Sequence, residues 1–163
     1  MRRLLIALLL ITVIMAAAGC GNKNSATVNQ DIKTLTEGYQ QSMVTYFDIK
    51  GIQDNAVLTN QINDNLKKIE DSKVKLEKLS GINETVTDPK IKAEISTFID
   101  LGRAREKLAL KYLNDIRKDM DYRYSNPDAQ ININAYITSI PDDLLDYEYR
   151  SEQSVNRLNQ LMK

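Results

Sequence analysis

Thr87-Asp88-Pro89-Lys90-Ile91-Lys92-Ala93-Glu94-Ile95 is the stretch whose reading decides the fold. Asp88 is placed to accept hydrogen bonds from the exposed amides of a helix start, and Pro89 stands at the first helical position, where its missing N–H costs nothing. From there Ile91, Ile95, Phe98, Leu101, Leu108, Tyr112, Ile116 and Met120 form a stripe reaching Tyr124. At 1.5 Å per residue that helix spans roughly 54 Å. Gly102 marks a bend in it, and shorter helices must pack along its length.

Towards the N-terminus, a second helical pattern starts at Asp54 or Asn55, either a good cap, and carries Leu58, Ile62, Leu66, Ile69, Leu76 and Leu79 on one face. Ser72 and Lys73 occupy the turn where an apolar residue is expected. Ser80-Gly81-Ile82 reads as its end, with glycine past the last turn followed by an apolar residue. Before it, Val28, Ile32, Leu35, Tyr39, Met43, Tyr46 and Ile49 share another face, interrupted by Gly38 and closed at Gly51, a left-handed cap.

Towards the C-terminus, Ser125-Asn126-Pro127-Asp128 stops the long helix. Ile131 to Ile137 alternates apolar and polar, but no second strand exists to pair with it, so residues 128–140 read as a short helix or an ordered loop. Ser139-Ile140-Pro141-Asp142-Asp143 repeats the helix-start grammar, with acidic groups facing the positive end of the dipole. A thinner stripe follows: Leu144, Tyr147 or Glu148, Ser151, Val155, Leu158 and Met162. The sum is an all-α chain: an antiparallel four-helix bundle over residues 27–163, with a short insertion before the last helix. A three-helix core with a loosely attached last helix is the alternative.

The first twenty residues have a different grammar. Arg2 and Arg3 precede an apolar run from Leu4 to Ala18 broken only by Thr12, and small residues lead into the sole cysteine, Cys20. This is the order of a secretory signal, too short for a comfortable membrane span. Ala17-Ala18-Gly19-Cys20 resembles the lipobox of bacterial lipoproteins, departing from it at Ala17, where leucine is commonest. The resemblance covers the signal only. It implies a cleaved signal segment over residues 1–19 and lipid on Cys20. Two or three acyl chains on one residue make dissociation from a bilayer negligible, at about 0.8 kcal/mol per buried methylene. Residues 20–26 then form the lipidated cysteine and a flexible tether.

Composition narrows the chemistry. The chain has 22 basic and 22 acidic residues, and losing Arg2 and Arg3 leaves 20 against 22, far from the basic surplus that nucleic acid requires. There is no histidine and one cysteine. The commonest general base, the usual transition-metal ligands and the parts of a Ser-His-Asp triad are therefore missing. The isolated glycines build no phosphate loop. We expect no catalytic residues, no metal site and no cofactor.

The most unusual local feature is a near-repeat, Asp121-Tyr122-Arg123-Tyr124-Ser125 and Asp146-Tyr147-Glu148-Tyr149-Arg150-Ser151. If the third and fourth helices are antiparallel neighbours, both segments fall near one end of the bundle. Tyr122, Arg123, Tyr124, Tyr147, Tyr149 and Arg150 are then a candidate binding surface, set against ordinary packing of amphipathic tyrosines. The expectation is a lipoprotein anchored to the membrane through lipid on Cys20, outside the cytoplasm. Its bundle binds or scaffolds an envelope protein without catalysis; the alternative is a small-ligand (peptide, sugar or lipid) binding or sensing subunit of an envelope transport system.

Overall fold

The computed structural model describes residues 25–43, 49, 51–52, 54–126, 128 and 140–163. The described residues form four helices and no strand: α1 (Ser25–Met43), α2 (Asn55–Thr85), α3 (Pro89–Ser125) and α4 (Asp142–Leu161). Cys20, the signal segment, Tyr46 and the alternating run Ile131–Ile137 lie outside the described residues.

Local chemistry explains most boundaries. The Asp54 carboxylate accepts from Val57 N at 2.9 Å, and that of Asp88 accepts from Lys90 N and Ile91 N at 2.8 and 3.1 Å, so both caps satisfy amides that a helix start leaves orphaned. Asp142 and Asp143 occupy the first turn of α4 behind Pro141. Gly51 is left-handed, with φ of 80°, a conformation that glycine adopts at no steric cost.

Two boundaries differ from the sequence reading. Ser25 and Ala26, expected in the tether, already belong to α1; nothing after Asn24 breaks a helix, and the turn before Val28 is carried along by the packing of Val28 and Ile32. Gly81 does not end α2, which runs on to Thr85. Ile82 packs against the core there, and the extended backbone at Val86 stops the helix instead.

Close packing joins consecutive helices: α1 on α2, α2 on α3 and α3 on α4, whereas α1 and α4 touch sparingly. Side-chain pairs give the register. Lys75 Nζ on α2 donates to Ser42 Oγ on α1 at 2.8 Å, Asn83 Nδ2 on α2 donates to Ser96 Oγ on α3 at 2.9 Å, and Arg157 on α4 meets Glu94 on α3. Tyr39 on α1 reaches Gly102 on α3, and its ring stands edge-on to Phe98 with centroids 5.4 Å apart. Gly102, read as a bend, is a contact: it leaves room for Tyr39 and Leu76, whose atoms would lie 3.2 and 2.8 Å from an added Cβ.

These pairs set levels along the bundle. Met43, the last described residue of α1, lies beside Arg105 of α3. Beyond that level α3 continues for about 30 Å to Ser125, with Leu113, Ile116 and Met120 still buried, as are Leu58, Ile62 and Ile69 of α2.

Candidate functional site

The tyrosine segments are placed apart. Glu94 pairs with Arg157 and Arg105 with Glu148, so Tyr149 is level with residue 104 or so on α3. Tyr122 and Tyr124 then lie roughly 25–30 Å further along the helix axis. α4 starts short of them, and the two segments share no pocket. Tyr122, Tyr124 and Tyr149 are 56, 63 and 61% exposed, and Arg123 and Arg150 are exposed too. Tyr147 is half-buried, with the Arg150 guanidinium 5.5 Å from its ring centroid and bonded to Asp146 at 3.4 Å. Of the six candidates, only Tyr147 and Arg150 make a specific mutual contact among the described residues.

The arrangement that sequence reasoning missed is a polar layer inside the bundle, at the level of Met43. Arg105 is completely buried. Its Nη1 donates to Gln40 Oε1 at 2.8 Å, and its Nη2 to the Met43 carbonyl at 3.4 Å and to Glu148 Oε1 at 3.2 Å. One guanidinium therefore holds the Met43 carbonyl of α1 and ties it to α4 through a carboxylate. Next to it Glu106, also buried, lies 2.6 Å from the hydroxyl of Ser72 on α2. The apparent gap in the α2 stripe at Ser72 is thus filled by a hydrogen bond. Spacing alone marks position 105: Ile95, Phe98, Gly102, Arg105, Ala109 and Tyr112 follow steps of three and four, and all are buried.

A second polar cluster joins α3 to α4 at the other level. Arg157 Nε and Nη2 donate to the two Glu94 oxygens at 3.0 and 2.9 Å, and Ser154 Oγ donates to the same carboxylate. Burial alone would raise the Glu94 carboxyl, but these hydrogen bonds and the arginine charge outweigh it and hold Glu94 below the ordinary carboxylate range.

No family model, curated protein or solved structure matches this chain.

Two depressions lie on the surface near the start of α1. One, about 480 Å³, runs between α1 and α2 over Leu35, Gly81 and Ile82, with Asp31 and Lys78 among its lining. The other, about 690 Å³ and more polar, lies between the start of α1 and the end of α4, at Asn29, Lys33, Asn159 and Met162. Asn29 Nδ2 donates there to the Met162 carbonyl at 3.4 Å. Among the described residues no cluster of three or more acidic or cysteine side chains could hold a metal ion, and no helix is long and apolar enough to cross a membrane.

Proposed function

We propose that this chain is a bacterial lipoprotein held outside the cytoplasm by lipid on Cys20, at the outer face of the cytoplasmic membrane or, where the host has one, at the outer membrane. Its body serves as a non-catalytic module that binds or scaffolds another envelope protein. The architecture proposed for the body is an antiparallel four-helix bundle with residues 128–140 inserted before the last helix. The pairs Ser42–Lys75, Asn83–Ser96, Ser72–Glu106, Glu94–Arg157 and Asn29–Met162 support that direction for each successive helix.

The observation that carries the functional reading is where the two ends of the rod lie. Ser25 opens α1 at the end where Met162 and Glu94 also sit. Tyr122 and Tyr124 stand exposed at the opposite end of α3, a helix of 37 residues and so roughly 55 Å long. Five residues from Cys20 to Asn24 reach at most about 18 Å. A lipid on Cys20 keeps the Ser25 end beside the bilayer and presents Tyr122, Arg123 and Tyr124 away from it, where exposed aromatics and arginine suit a protein partner.

A second reading, a small-ligand binding or sensing subunit, has one observation in its favour: the groove over Leu35, Gly81 and Ile82. The two readings separate by experiment. A photo-crosslinking residue at Tyr124, in the membrane-bound full chain, yields one discrete protein adduct that Tyr122→Ala abolishes; a smear of adducts, or the same adduct with Tyr122→Ala, counts against the first reading. The anchor is checked apart from this: Cys20→Ser releases the protein into the soluble fraction after a salt wash, and retention in the membrane refutes the lipid.

A further inference from the structure

Glu106 enters the α2–α3 interface with 5% of its surface exposed. Its Oε1 is 2.6 Å from Ser72 Oγ, and that hydroxyl is in turn 2.7 Å from the Ile69 carbonyl oxygen and 3.5 Å from Met43 Sδ. Ser72 has one hydrogen to give. With the carboxyl ionised, either Glu106 or Ile69 must face the serine oxygen at hydrogen-bond distance with no hydrogen between them. With the carboxyl protonated the accounting closes: Glu106 donates to Ser72, and Ser72 donates to Ile69.

Among the described residues no cation is bonded to this carboxyl to repay its burial as an anion. The Arg105 guanidinium is engaged by Gln40, Met43 and Glu148. Lys73 on α2 is bonded to Glu70 at 2.7 Å. Lys73 and Glu70 from α2 and Arg103 from α3 are the charges that act on Glu106; among the described residues α1 presents the Met43 thioether, through Ser72. An anion buried without a bonded counter-charge is costly, and the group keeps its proton instead. Burial accordingly pushes the Glu106 carboxyl up from its ordinary value, against the smaller pull of the Lys73 and Arg103 charges.

We propose that Glu106 is a proton switch built into the bundle: a neutral acid donating to Ser72, whose ionisation as pH rises loosens the layer around Met43 and Arg105. The loosening reaches α1 because Ser72 touches Met43, and the Met43 carbonyl is what Arg105 holds. The sign follows from linkage. A carboxyl raised in the folded state contributes fully below its unfolded value, and that contribution is lost as pH rises through the folded value. The inference does not depend on the anchor or on any partner.

The test is a carbon-13 carboxyl titration of the full chain in detergent, with glutamates labelled and the Glu106 signal identified by its loss in Glu106→Gln. Expected is one glutamate titrating above the others; titration of Glu106 together with them overturns the proposal. Ser72→Ala separates the two proton arrangements. It lowers the Glu106 midpoint if serine accepts from the neutral acid, and raises it, against the proposal, if serine donates to a carboxylate. Urea unfolding supplies a readout that needs no serine variant. The unfolding constant of the natural chain relative to Glu106→Gln rises by up to tenfold per pH unit above the ordinary carboxyl range and then levels off; a pH-independent ratio sinks the idea.

Discussion

Tyr39 donates its phenolic hydrogen to the carbonyl oxygen of Gly102 at 2.9 Å, in the core and 63 residues away along the chain. The bond exists because position 102 has no Cβ. Gly102→Ala would put a methyl 2.8 and 3.1 Å from the two Leu76 methyls and 3.2 Å from Tyr39 Cζ. Overpacking of this kind costs about 1–3 kcal/mol, more than the gain of about 1 kcal/mol in helix propensity. At Gly81 an added Cβ meets nothing within 4 Å, so Gly81→Ala keeps the propensity gain. Urea midpoints should move in opposite directions for the two substitutions.

Arg105→Met keeps most of the buried stem and removes the guanidinium bonds to Gln40, Met43 and Glu148. Breaking a buried ion pair costs about 3–5 kcal/mol. The low end applies here, about 3 kcal/mol, because the Glu148 side chain retains 18% exposure and can turn to water. Adding Glu148→Met should restore more than half of the loss, measured by urea unfolding of the single and double variants.

Asn65 is completely buried, and neither its Oδ1 nor its Nδ2 has a hydrogen-bond partner. Each unsatisfied group of this kind costs about 1–3 kcal/mol. Asn65→Leu, similar in shape, should raise the stability of the folded chain by about 1–2 kcal/mol in chemical denaturation. Loss of stability would mean that the amide is satisfied by something other than protein, such as a trapped water.

Glu94 gives a pH dependence of the sign opposite to that of Glu106. Its carboxyl is held low in the folded state, so its contribution is present above the ordinary carboxyl value and is lost as pH falls through the folded value. Arg157→Gln should therefore weaken the chain at pH 7, with a difference from the natural protein that shrinks as the pH is lowered. Thermal melting at a series of pH values checks it.

Helix starts were the most legible part of the sequence, because a cap is a local event: Asp54, Asp88 and Pro141 stand where the helices begin. The site was much less so. Tyr122 and Tyr149 looked like neighbours on paper, yet their separation is set by how far α4 slides along α3. That distance depends on pairs such as Arg105 with Glu148, which no local pattern encodes. Arg105 itself falls on the apolar stripe by spacing. Charge argues against burial, and only the carbonyl of Met43 together with Gln40 and Glu148 makes an arginine acceptable there. Gly81 misled for a related reason: a glycine beside an apolar residue signals an end only when the backbone turns left-handed, and there it does not.

The sparse meeting of α1 with α4 bears on kinetics. Because every extensive interface among the described residues joins helices adjacent in the chain, the polypeptide can assemble by zipping one helix onto the next, without first closing a long loop. Such local topologies fold in the microsecond-to-millisecond range. Docking the first helix against the last, through Asn29 and the Arg105 bridge, then falls late in folding, and substitutions there should speed unfolding far more than they slow refolding.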